Sequence, residues 1–473
     1  MSQSPYPGLR PFERDEIDIF FGREEHVDQL LENLEQPRFL AVTGPSGCGK
    51  SSLVRTGLIS ALETGFLASA GSSWKIAIMR PGRAPFENLA RALMTRDAIG
   101  NDYMNSFMDD ESDPLDRDAL SQRNDFVPLL KKQLTSGPFA MHQVWDMITP
   151  SKESRLLLIV DQFEELFRYY EKDSAEAARS FAALLQSTCQ HTDMYIVLTM
   201  RSEYIGDCAL FPGFTELINQ GIYLTPRLTR DQLQEAITEP AAVFEAHIEP
   251  AVVNTLLNET GDNPDQLPVL QHALMRMWTI ACNESPDHPH ITESHYHQTG
   301  GLKQALSNHA DEAYNELNEN QQVIAEILFR CLCERGSDLR DTRRPVSVGN
   351  IADVAEVNWQ DIATVADGFR KKSRCFLTPS IDIPLSQDTI LDISHESLIR
   401  QWKRMNDWSI KEREHAETYM RLEDTANRWE KNEAALLRTP ELENTLKWRD
   451  EANPTKSWSE RYGLNDMECL LKK

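Results

Sequence analysis

The chain contains one complete glycine-rich pattern of the form G-x-x-x-x-G-K-[ST]. It reads Gly44-Pro45-Ser46-Gly47-Cys48-Gly49-Lys50-Ser51 and is followed by Ser52. Glycines let the backbone close around a phosphate chain, and the positive end of the following helix faces the same phosphates. Lys50 is then placed to contact the terminal phosphates, and the Ser51 hydroxyl to ligate Mg²⁺. The pattern predicts that the loop from Gly44 to Ser52 binds a nucleotide.

Acidic residues follow a buried-strand pattern that runs from Arg155 to Val160. Asp161 comes at its end, where the strands of an open α/β sheet present ligand-binding groups. A carboxylate there is suited to hold Mg²⁺ through water beside Ser51. Of Glu164 and Glu165, one is expected to polarise the attacking water, whereas the other opens the next helix, where its charge suits the helix dipole. The spacing does not choose between them.

A further apolar strand pattern, Met194 to Met200, ends in Arg201. A guanidinium at the same sheet edge is suited to contact the terminal phosphate or to respond to its loss. A surface ion pair is the alternative. Together with Lys50, Asp161 and the two glutamates, Arg201 completes a predicted catalytic set for Mg²⁺-dependent hydrolysis of a nucleoside triphosphate.

These groups require a parallel sheet that is flanked by helices. The remaining strand patterns are Phe39 to Val42, Trp74 to Met79 and Gly221 to Leu224, and helical patterns run from His26 to Leu34 and from Phe86 to Met94. Strands that alternate with helices predict an α/β fold with a parallel sheet. A polar, acidic stretch from Ala98 to Gly137 is interpreted as a surface insertion.

After Pro226 the strand and helix alternation stops. Helical patterns follow at Arg230 to Glu239, Glu249 to Glu259, Leu267 to Ile280, Gln321 to Arg335 and Val354 to Lys372. Two short strand patterns, Cys375 to Leu377 and Thr389 to Ile393, come next, and helices followed by a hairpin suggest a winged-helix-like module. From Ile410 onward the sequence is strongly charged and predicts a helical arm.

Composition limits the classes of function. A chain of 473 residues is too long to fold around a single hydrophobic core, so roughly two to four domains are expected. The formal charge of −25 argues against a broad nucleic-acid surface, and the cluster of Arg340, Arg343 and Arg344 is interpreted as a solvated loop. No apolar run approaches the roughly 20 residues that span a bilayer, so a cytoplasmic protein without membrane contact is expected. The eight scattered cysteines are interpreted as reduced thiols.

The motifs in chain order resemble those of the novel STAND type 1 NTPase domain, where STAND names signal-transduction ATPases with numerous domains. They are PYPGLRPF, FFGRE, GPSGCGKSSLVR, RPG, LLLIVDQFEELF, LTMR, QLPVLQHALMRMW and ISHESLIRQW, and they span about Pro5 to Trp408. The resemblance implies a nucleotide-binding core followed by a helical lid and a winged helix. It also implies ADP and ATP as ligands, and a closed ADP form that opens and self-associates with ATP.

The resemblance also implies roles for individual residues. Gly22 and Arg23 match the motif that packs near adenine and ribose, and Pro268 matches the lid proline that contacts the base. Arg201 matches the sensor arginine. His395 resembles the winged-helix histidine that touches the β-phosphate and latches the ADP state. The preference for adenine over guanine follows from the resemblance alone.

With the family as a guide, the chain divides into five predicted parts. These are an N-terminal segment with the FFGRE motif (1–36), a phosphate-loop domain (37–226), a helical lid (227–300), a winged-helix-like domain (301–409) and a helical tail (410–473). Such proteins usually carry an N-terminal effector and a C-terminal repeat sensor. Since the family motifs start at residue 5 and the tail has no repeats, we expect either a sensor on a C-terminal segment beyond this sequence or a separate protein partner.

The leading hypothesis is a slowly hydrolysing ATPase switch in signalling or defence, whose nucleotide state controls the lid, the winged helix and self-association. A second hypothesis is a winged-helix DNA-binding AAA-type ATPase or transcriptional regulator; the acidic charge speaks against it, and salt-dependent duplex binding would be its signature. A third is an ADP-locked scaffold without turnover, which Asp161 and the two following glutamates make less attractive. No motif encodes the trigger, the effector output or the oligomer number.

Overall fold

The computed structural model describes residues 4–35, 37–67, 69–107, 120–148, 153–172, 174–261, 266–286, 288–335 and 341–463. The acidic part of the predicted insertion, Arg340 and Cys469 lie outside these ranges. The chain divides into two compact units. The sheet unit consists of Pro11–His247 and Gly261–Leu267, and the helical unit consists of Met1–Arg10, Ile248–Thr260 and Pro268–Lys473.

The sheet unit is built on a five-stranded parallel sheet in the order β2-β3-β4-β1-β5. Its strands are β1 (Phe39–Gly44), β2 (Trp74–Met79), β3 (Arg155–Val160), β4 (Met194–Arg201) and β5 (Ile222–Leu224). In the register of β1 and β4, Gly44 lies opposite Arg201. The C-terminal ends of the central strands therefore meet at one edge of the sheet.

Both faces of this sheet are covered, which explains why its strand patterns are continuously apolar. Along β3, Leu156 and Leu158 belong to one apolar cluster, whereas Leu157 and Ile159 belong to another. Successive side chains of a strand point to opposite faces, so the two clusters lie on opposite sides of the sheet. This arrangement confirms the predicted α/β class.

Helices connect the strands of the sheet unit. They are α1 (Glu24–Glu35), α2 (Lys50–Ser52), α3 (Ile59–Glu63), α4 (Pro85–Leu93), α5 (Gly100–Asn105), α6 (Leu120–Leu134), α7 (Ala140–Ile148), α8 (Glu165–Lys172), α9 (Ala175–Thr188), α10 (Phe214–Gln220) and α11 (Arg230–Val243). A π-helical stretch, Leu53–Leu58, joins α2 to α3, and 3₁₀ helices span Arg14–Ile19 and Ser202–Leu210.

The helical unit confirms the predicted change to helices. Its helices are α12 (Pro250–Glu259), α13 (Gln266–Glu284, of which Pro268 onward lies in this unit), α14 (Glu293–Thr299), α15 (Gly301–Asn315), α16 (Glu319–Cys331), α17 (Val348–Ala355), α18 (Trp359–Arg370), α19 (Ser397–Gln401), α20 (Lys403–Glu430), α21 (Glu441–Ala452) and α22 (Lys456–Ser459). The short strands after β5 are β6 (His247–Ile248), β7 (His290–Ile291), β8 (Cys333–Arg335), β9 (Asp341–Arg343), β10 (Val346–Ser347), β11 (Leu377–Thr378) and β12 (Ile390–Ile393).

Two of the predicted helices differ from the structure. The pattern from Gln321 to Arg335 continues past the end of α16, because its last residues form β8, which pairs antiparallel with β9. The pattern from Val354 to Lys372 is broken by Glu356, which has a left-handed φ of 53° and follows the end of α17; α18 begins at Trp359. The predicted strand pair is present, since β11 and β10 both pair antiparallel with β12.

Within the described ranges, no helix combines the length and apolar character needed to cross a membrane. The seven cysteines that the structure describes are free thiols.

Candidate nucleotide-binding site

The phosphate loop lies between the C-terminal end of β1 and the first turn of α2. Gly47 and Gly49 have positive φ angles of 77° and 92°, a region that side chains disfavour. A Cβ at Gly44 would stand 2.9 Å from the sulfur of Cys48. The glycines of the pattern are therefore required by the backbone path of the loop itself.

Lys50 reaches back across this loop. Its Nζ donates hydrogen bonds to the carbonyl oxygens of Gly44, 2.9 Å away, and Pro45, 2.8 Å away. The sulfur of Cys48 lies 3.8 Å from the same nitrogen. An ammonium group has three donors and no acceptor, so phosphate oxygens at the loop would compete with these carbonyls for Lys50. Ser46 lies between these residues in the same turn.

Ser51 and Asp161 meet as the sequence predicts. The Ser51 hydroxyl donates a hydrogen bond of 2.8 Å to Asp161 Oδ1, and the Asp161 side chain is almost completely buried. Thr199, on the neighbouring strand β4, donates to the same oxygen over 2.5 Å and accepts a hydrogen bond from the Gln162 amide. A hydroxyl and a carboxylate side by side are the hard oxygen ligands that Mg²⁺ prefers.

Two arginines face the other carboxylate oxygen of Asp161. Arg55 Nη2 lies 3.0 Å from Oδ2, and Arg80 Nε lies 3.8 Å from it. Burial alone would raise the pKa of Asp161, but these two charges and the hydrogen bonds from Thr199 and Ser51 lower the pKa to about 2. Asp161 is therefore ionised throughout the physiological pH range.

The two glutamates after Asp161 have different partners. Glu164 is largely buried, and its Oε1 lies 3.4 Å from Arg201 Nε. Glu165, the first residue of α8, accepts a hydrogen bond of 2.9 Å from the backbone N–H of Gly82. Glu164 is thus paired with the arginine at the end of β4, whereas Glu165 fastens the turn after β2.

Arg23 is buried against the back of the phosphate loop. Its Nη2 donates to the Cys48 carbonyl over 2.8 Å, and its Nη1 donates to the Pro226 carbonyl over 2.9 Å and lies 3.0 Å from His26 Nδ1. Gly22 has a φ of 79°, and a Cβ there would stand 2.4 Å from the Gln232 carbonyl of α11. The FFGRE motif is thus packed between the phosphate loop and the helix that follows β5.

The remaining predicted residues have other surroundings. Ser52 accepts a hydrogen bond from the Phe12 amide over 3.1 Å, so its hydroxyl holds the N-terminal segment. Pro268 and His395 belong to the helical unit. Pro268 lies in the first turn of α13, where proline is tolerated, and His395 Nδ1 lies 2.8 Å from the Ser397 hydroxyl. Their nucleotide contacts stay predictions.

Sequence reasoning did not assign Arg55, Arg80 or Thr199 to the site. Arg80 follows β2 and Thr199 lies two residues before Arg201 on β4, so the sheet-edge argument that found Asp161 also applies to them. Arg55 had no such signal, because its contact with Asp161 joins positions 106 residues apart.

The sequence pattern of the family Novel STAND NTPase 1 matches residues 5–435 of this chain. The chain belongs to the Novel STAND NTPase 1 family. This membership confirms the resemblance drawn from the motif order. It makes the chain a P-loop NTPase of the STAND type.

Solved structures similar to this Novel STAND NTPase 1 chain are distant. The ORC1 protein of Aeropyrum pernix in complex with DNA is 13% identical, with coverage of 84% of this chain and 94% of the other and a TM-score of 0.41. A Walker-type ATPase of Pyrococcus abyssi is 15% identical, with coverage of 84% and 99% and a TM-score of 0.39. The RuvB Holliday junction branch migration motor of Thermotoga maritima is 15% identical, with coverage of 84% and 98% and a TM-score of 0.31.

The residues of this family member fit the Mg²⁺ nucleotide that the family implies. The loop carries Lys50 and glycines that keep side chains away from the phosphates, and the backbone requires those glycines. Ser51 and Asp161 present adjacent oxygen ligands at the same place. Groups suited to bind phosphate and groups suited to bind Mg²⁺ therefore lie on the same loop and at the end of the neighbouring strand.

Proposed function

We propose that this chain is an ATP-hydrolysing molecular switch, in which exchange of ADP for ATP controls the arrangement of the lid and the winged helix. The observation that carries the proposal is the hydrogen bond of 2.8 Å between Ser51 and Asp161, at the end of the loop whose carbonyls hold the Lys50 ammonium. A signalling or defence role is proposed from family membership alone.

Binding begins with the phosphates. Backbone N–H groups of the loop and of the first turn of α2 would bind them, and Lys50 would exchange its loop carbonyls for phosphate oxygens. Ser51 and Asp161 would hold Mg²⁺, which when bound would neutralise part of the phosphate charge. Gly22 and Arg23 are proposed to lie near adenine and ribose, and Pro268 to contact the base.

Hydrolysis is proposed to use Glu164 and Arg201. The Glu164 carboxylate is buried beside the sheet edge and is suited to orient and polarise the attacking water. Arg201, opposite Gly44 in the sheet register, is suited to contact the terminal phosphate. Glu165 is occupied by the Gly82 amide, which favours a positioning role for it.

The proposed switch depends on whether Arg201 pairs with Glu164 or with the γ-phosphate. When a γ-phosphate is present, Arg201 can exchange Glu164 for it, and after hydrolysis the ion pair of 3.4 Å can re-form. A ligand shifts a conformational equilibrium only by its different affinity for the two states, and the γ-phosphate supplies that difference. We propose that His395 latches the ADP state and that the ATP state self-associates or binds a protein effector.

Nucleotide binding and phosphate release together test this proposal. Wild type should bind ADP and ATP and release phosphate slowly, and Lys50→Ala should lose nucleotide affinity by at least about tenfold. Lys131→Ala is the matched control, because Lys131 makes a half-exposed ion pair with Glu87 on α4. Unchanged ATP affinity in Lys50→Ala would overturn the site assignment. Tightly bound ADP without phosphate release would favour an ADP-locked scaffold.

A further inference from the structure

We propose that Arg55 is a built-in counter-charge at the metal site, which makes nucleotide binding only weakly dependent on Mg²⁺. The inference rests on the proposed nucleotide-binding function and concerns how that site is regulated. It starts from the contact between Arg55 Nη2 and Asp161 Oδ2, 3.0 Å apart, in a place where the Asp161 side chain is 1% exposed.

The two oxygens of Asp161 have separate partners. Oδ1 accepts hydrogen bonds from the hydroxyls of Ser51 and Thr199, whereas Oδ2 faces the guanidinium groups of Arg55 and Arg80. Mg²⁺ held beside Ser51 would meet the Oδ1 side of the carboxylate, whereas Arg55 supplies a positive charge at the Oδ2 side. Arg55 therefore offsets part of the negative charge with which Asp161 would attract Mg²⁺.

Both terminal nitrogens of the Arg55 guanidinium contact carboxylates, Nη2 that of Asp161 and Nη1 that of Glu13. Arg55 lies on the π-helical stretch that directly follows the phosphate loop, a local geometry that redirects side chains relative to an α-helix. Its Nη1 lies 3.3 Å from Glu13 Oε1, and the Glu13 carbonyl accepts a hydrogen bond of 3.0 Å from Thr56. The Arg55 side chain is 16% exposed. The guanidinium is therefore held beside Asp161 rather than moving freely at the surface.

Two electrostatic effects act in the same direction. Without Mg²⁺, the negative charge of Asp161 would repel the phosphates, and Arg55 offsets that repulsion. With Mg²⁺, the positive charge of Arg55 opposes the approach of the divalent cation. Both effects are strengthened by the short distance and by the burial of the Asp161 side chain. Arg55 therefore lowers the ratio between the dissociation constants for ADP measured without and with Mg²⁺.

The test is this ratio, measured by equilibrium binding of ADP in EDTA and in excess Mg²⁺. Arg55→Gln keeps a polar side chain but removes the charge, so the ratio should rise by about tenfold over wild type. Arg55→Lys keeps a cation near Asp161 and should stay close to wild type. Arg91→Gln, which breaks an exposed ion pair with Glu87 on α4, is the control and should leave the ratio unchanged.

The outcomes separate the inference from the proposed function. A ratio that is unchanged or lower in Arg55→Gln would overturn the role of Arg55 while ADP binding itself stands. If Arg55→Gln does not fold, Glu13→Gln keeps Arg55 but removes the carboxylate that offsets its charge, so the ratio should fall below that of wild type; an unchanged or higher ratio there would overturn the inference. Wild-type protein that binds no ADP in either buffer would overturn the proposed function and the inference together.

Discussion

Arg23 Nη2 donates a hydrogen bond to the main-chain carbonyl of Cys48, 2.8 Å away. The same guanidinium donates to the carbonyl of Pro226, at the point where the chain leaves the sheet. Burial lowers the pKa of Arg23, yet an arginine stays charged under any ordinary condition. One buried side chain therefore fixes the back of the phosphate loop and the start of the segment that leads to α11.

Arg23→Ala should weaken nucleotide binding by about tenfold or more. Each carbonyl that loses its donor in a buried place costs about 1–3 kcal/mol, and the loop is then free to leave its binding geometry. Arg23→Lys should recover only part of the affinity, because one ammonium does not reproduce the planar fork. Titration calorimetry with ADP measures the effect, with Arg91→Ala as the exposed control. Full affinity in Arg23→Ala would show that the phosphate loop binds nucleotide without the hydrogen bonds from Arg23.

Glu164→Gln and Glu165→Gln should separate the two acidic residues after Asp161. Glu164→Gln should lower single-turnover phosphate release by about 10²–10⁴-fold without weakening ATP binding, which is the range for loss of a general base. Glu165→Gln should have the smaller effect, since an amide oxygen still accepts from the Gly82 N–H. Rapid-quench measurement of bound ATP gives both rates. The reverse order of effects would assign the base to Glu165.

The helical unit should be sensitive to mild acid because of a buried histidine pair. His309 Nδ1 lies 3.3 Å from His272 Nε2. Burial, with the nearby charge of Arg276, lowers the pKa of His272 to about 3, and burial likewise lowers the pKa of His309. Both rings are neutral in the fold and protonate in the unfolded chain near their usual pKa of about 6.5.

The sign of the pH dependence follows from these directions. The stability that the pair contributes is complete above about pH 6.5 and falls by about 1.4 kcal/mol per histidine for each pH unit below it, toward the folded pKa. Urea unfolding of wild type between about pH 7.5 and 5 should show this loss, and His272→Asn should reduce it. His297→Asn, at a position 70% exposed, should not. Equal pH dependence in all three proteins would contradict the burial argument.

Glu412 should be essential for the stability of the helical unit. Its Oε1 accepts hydrogen bonds from Trp458, Tyr462 and Arg461, and its Oε2 from Arg330. Burial opposes ionisation, but Arg330 and Arg461 outweigh it and lower the pKa of Glu412. Glu412→Ala should therefore destabilise the unit by about 3–5 kcal/mol, because it leaves buried cations and hydrogen-bond donors without their acceptor.

Thermal unfolding and limited proteolysis measure the effect of Glu412→Ala. Glu414→Ala is the matched control, since Glu414 lies on the same helix and is exposed. Earlier cleavage near the C-terminal helices should accompany the loss of stability in Glu412→Ala alone. Two variants with the same melting temperature would mean that the network does not hold these helices in place.

The parallel sheet and its ligand edge were predictable from local patterns. Apolar patterns predicted β2, interrupted only by Lys75, and β4 with the bounds that the structure has, because a strand covered on both faces is mostly apolar. Because the strands of a parallel sheet run in the same direction, the residue after each run lies at the C-terminal edge of the sheet. This is why Asp161 and Arg201 could be assigned before their neighbours were known, and why Arg80 belonged in the same argument.

The contacts that brace the site were not predictable in this way. Arg23 meets the carbonyl of Pro226, which lies 203 positions away in the sequence, and nothing in the spacing of the two residues signals it. Arg55 reaches Asp161 from a π-helical turn, which no apolar periodicity marks. In the helical unit, the break at Glu356 depends on one left-handed residue of a type that favours helices.

In the proposed switch, nucleotide state controls self-association, and light scattering measures the mass that this control should change. Wild type and Lys50→Ala would be measured with ADP, with ATP and without nucleotide, and Glu164→Gln with ATP, where slow hydrolysis prolongs the bound state. Mass should increase with ATP in wild type and Glu164→Gln, it should not increase with ADP, and Lys50→Ala should not respond. A monomer in every state, despite confirmed ATP binding, would contradict it.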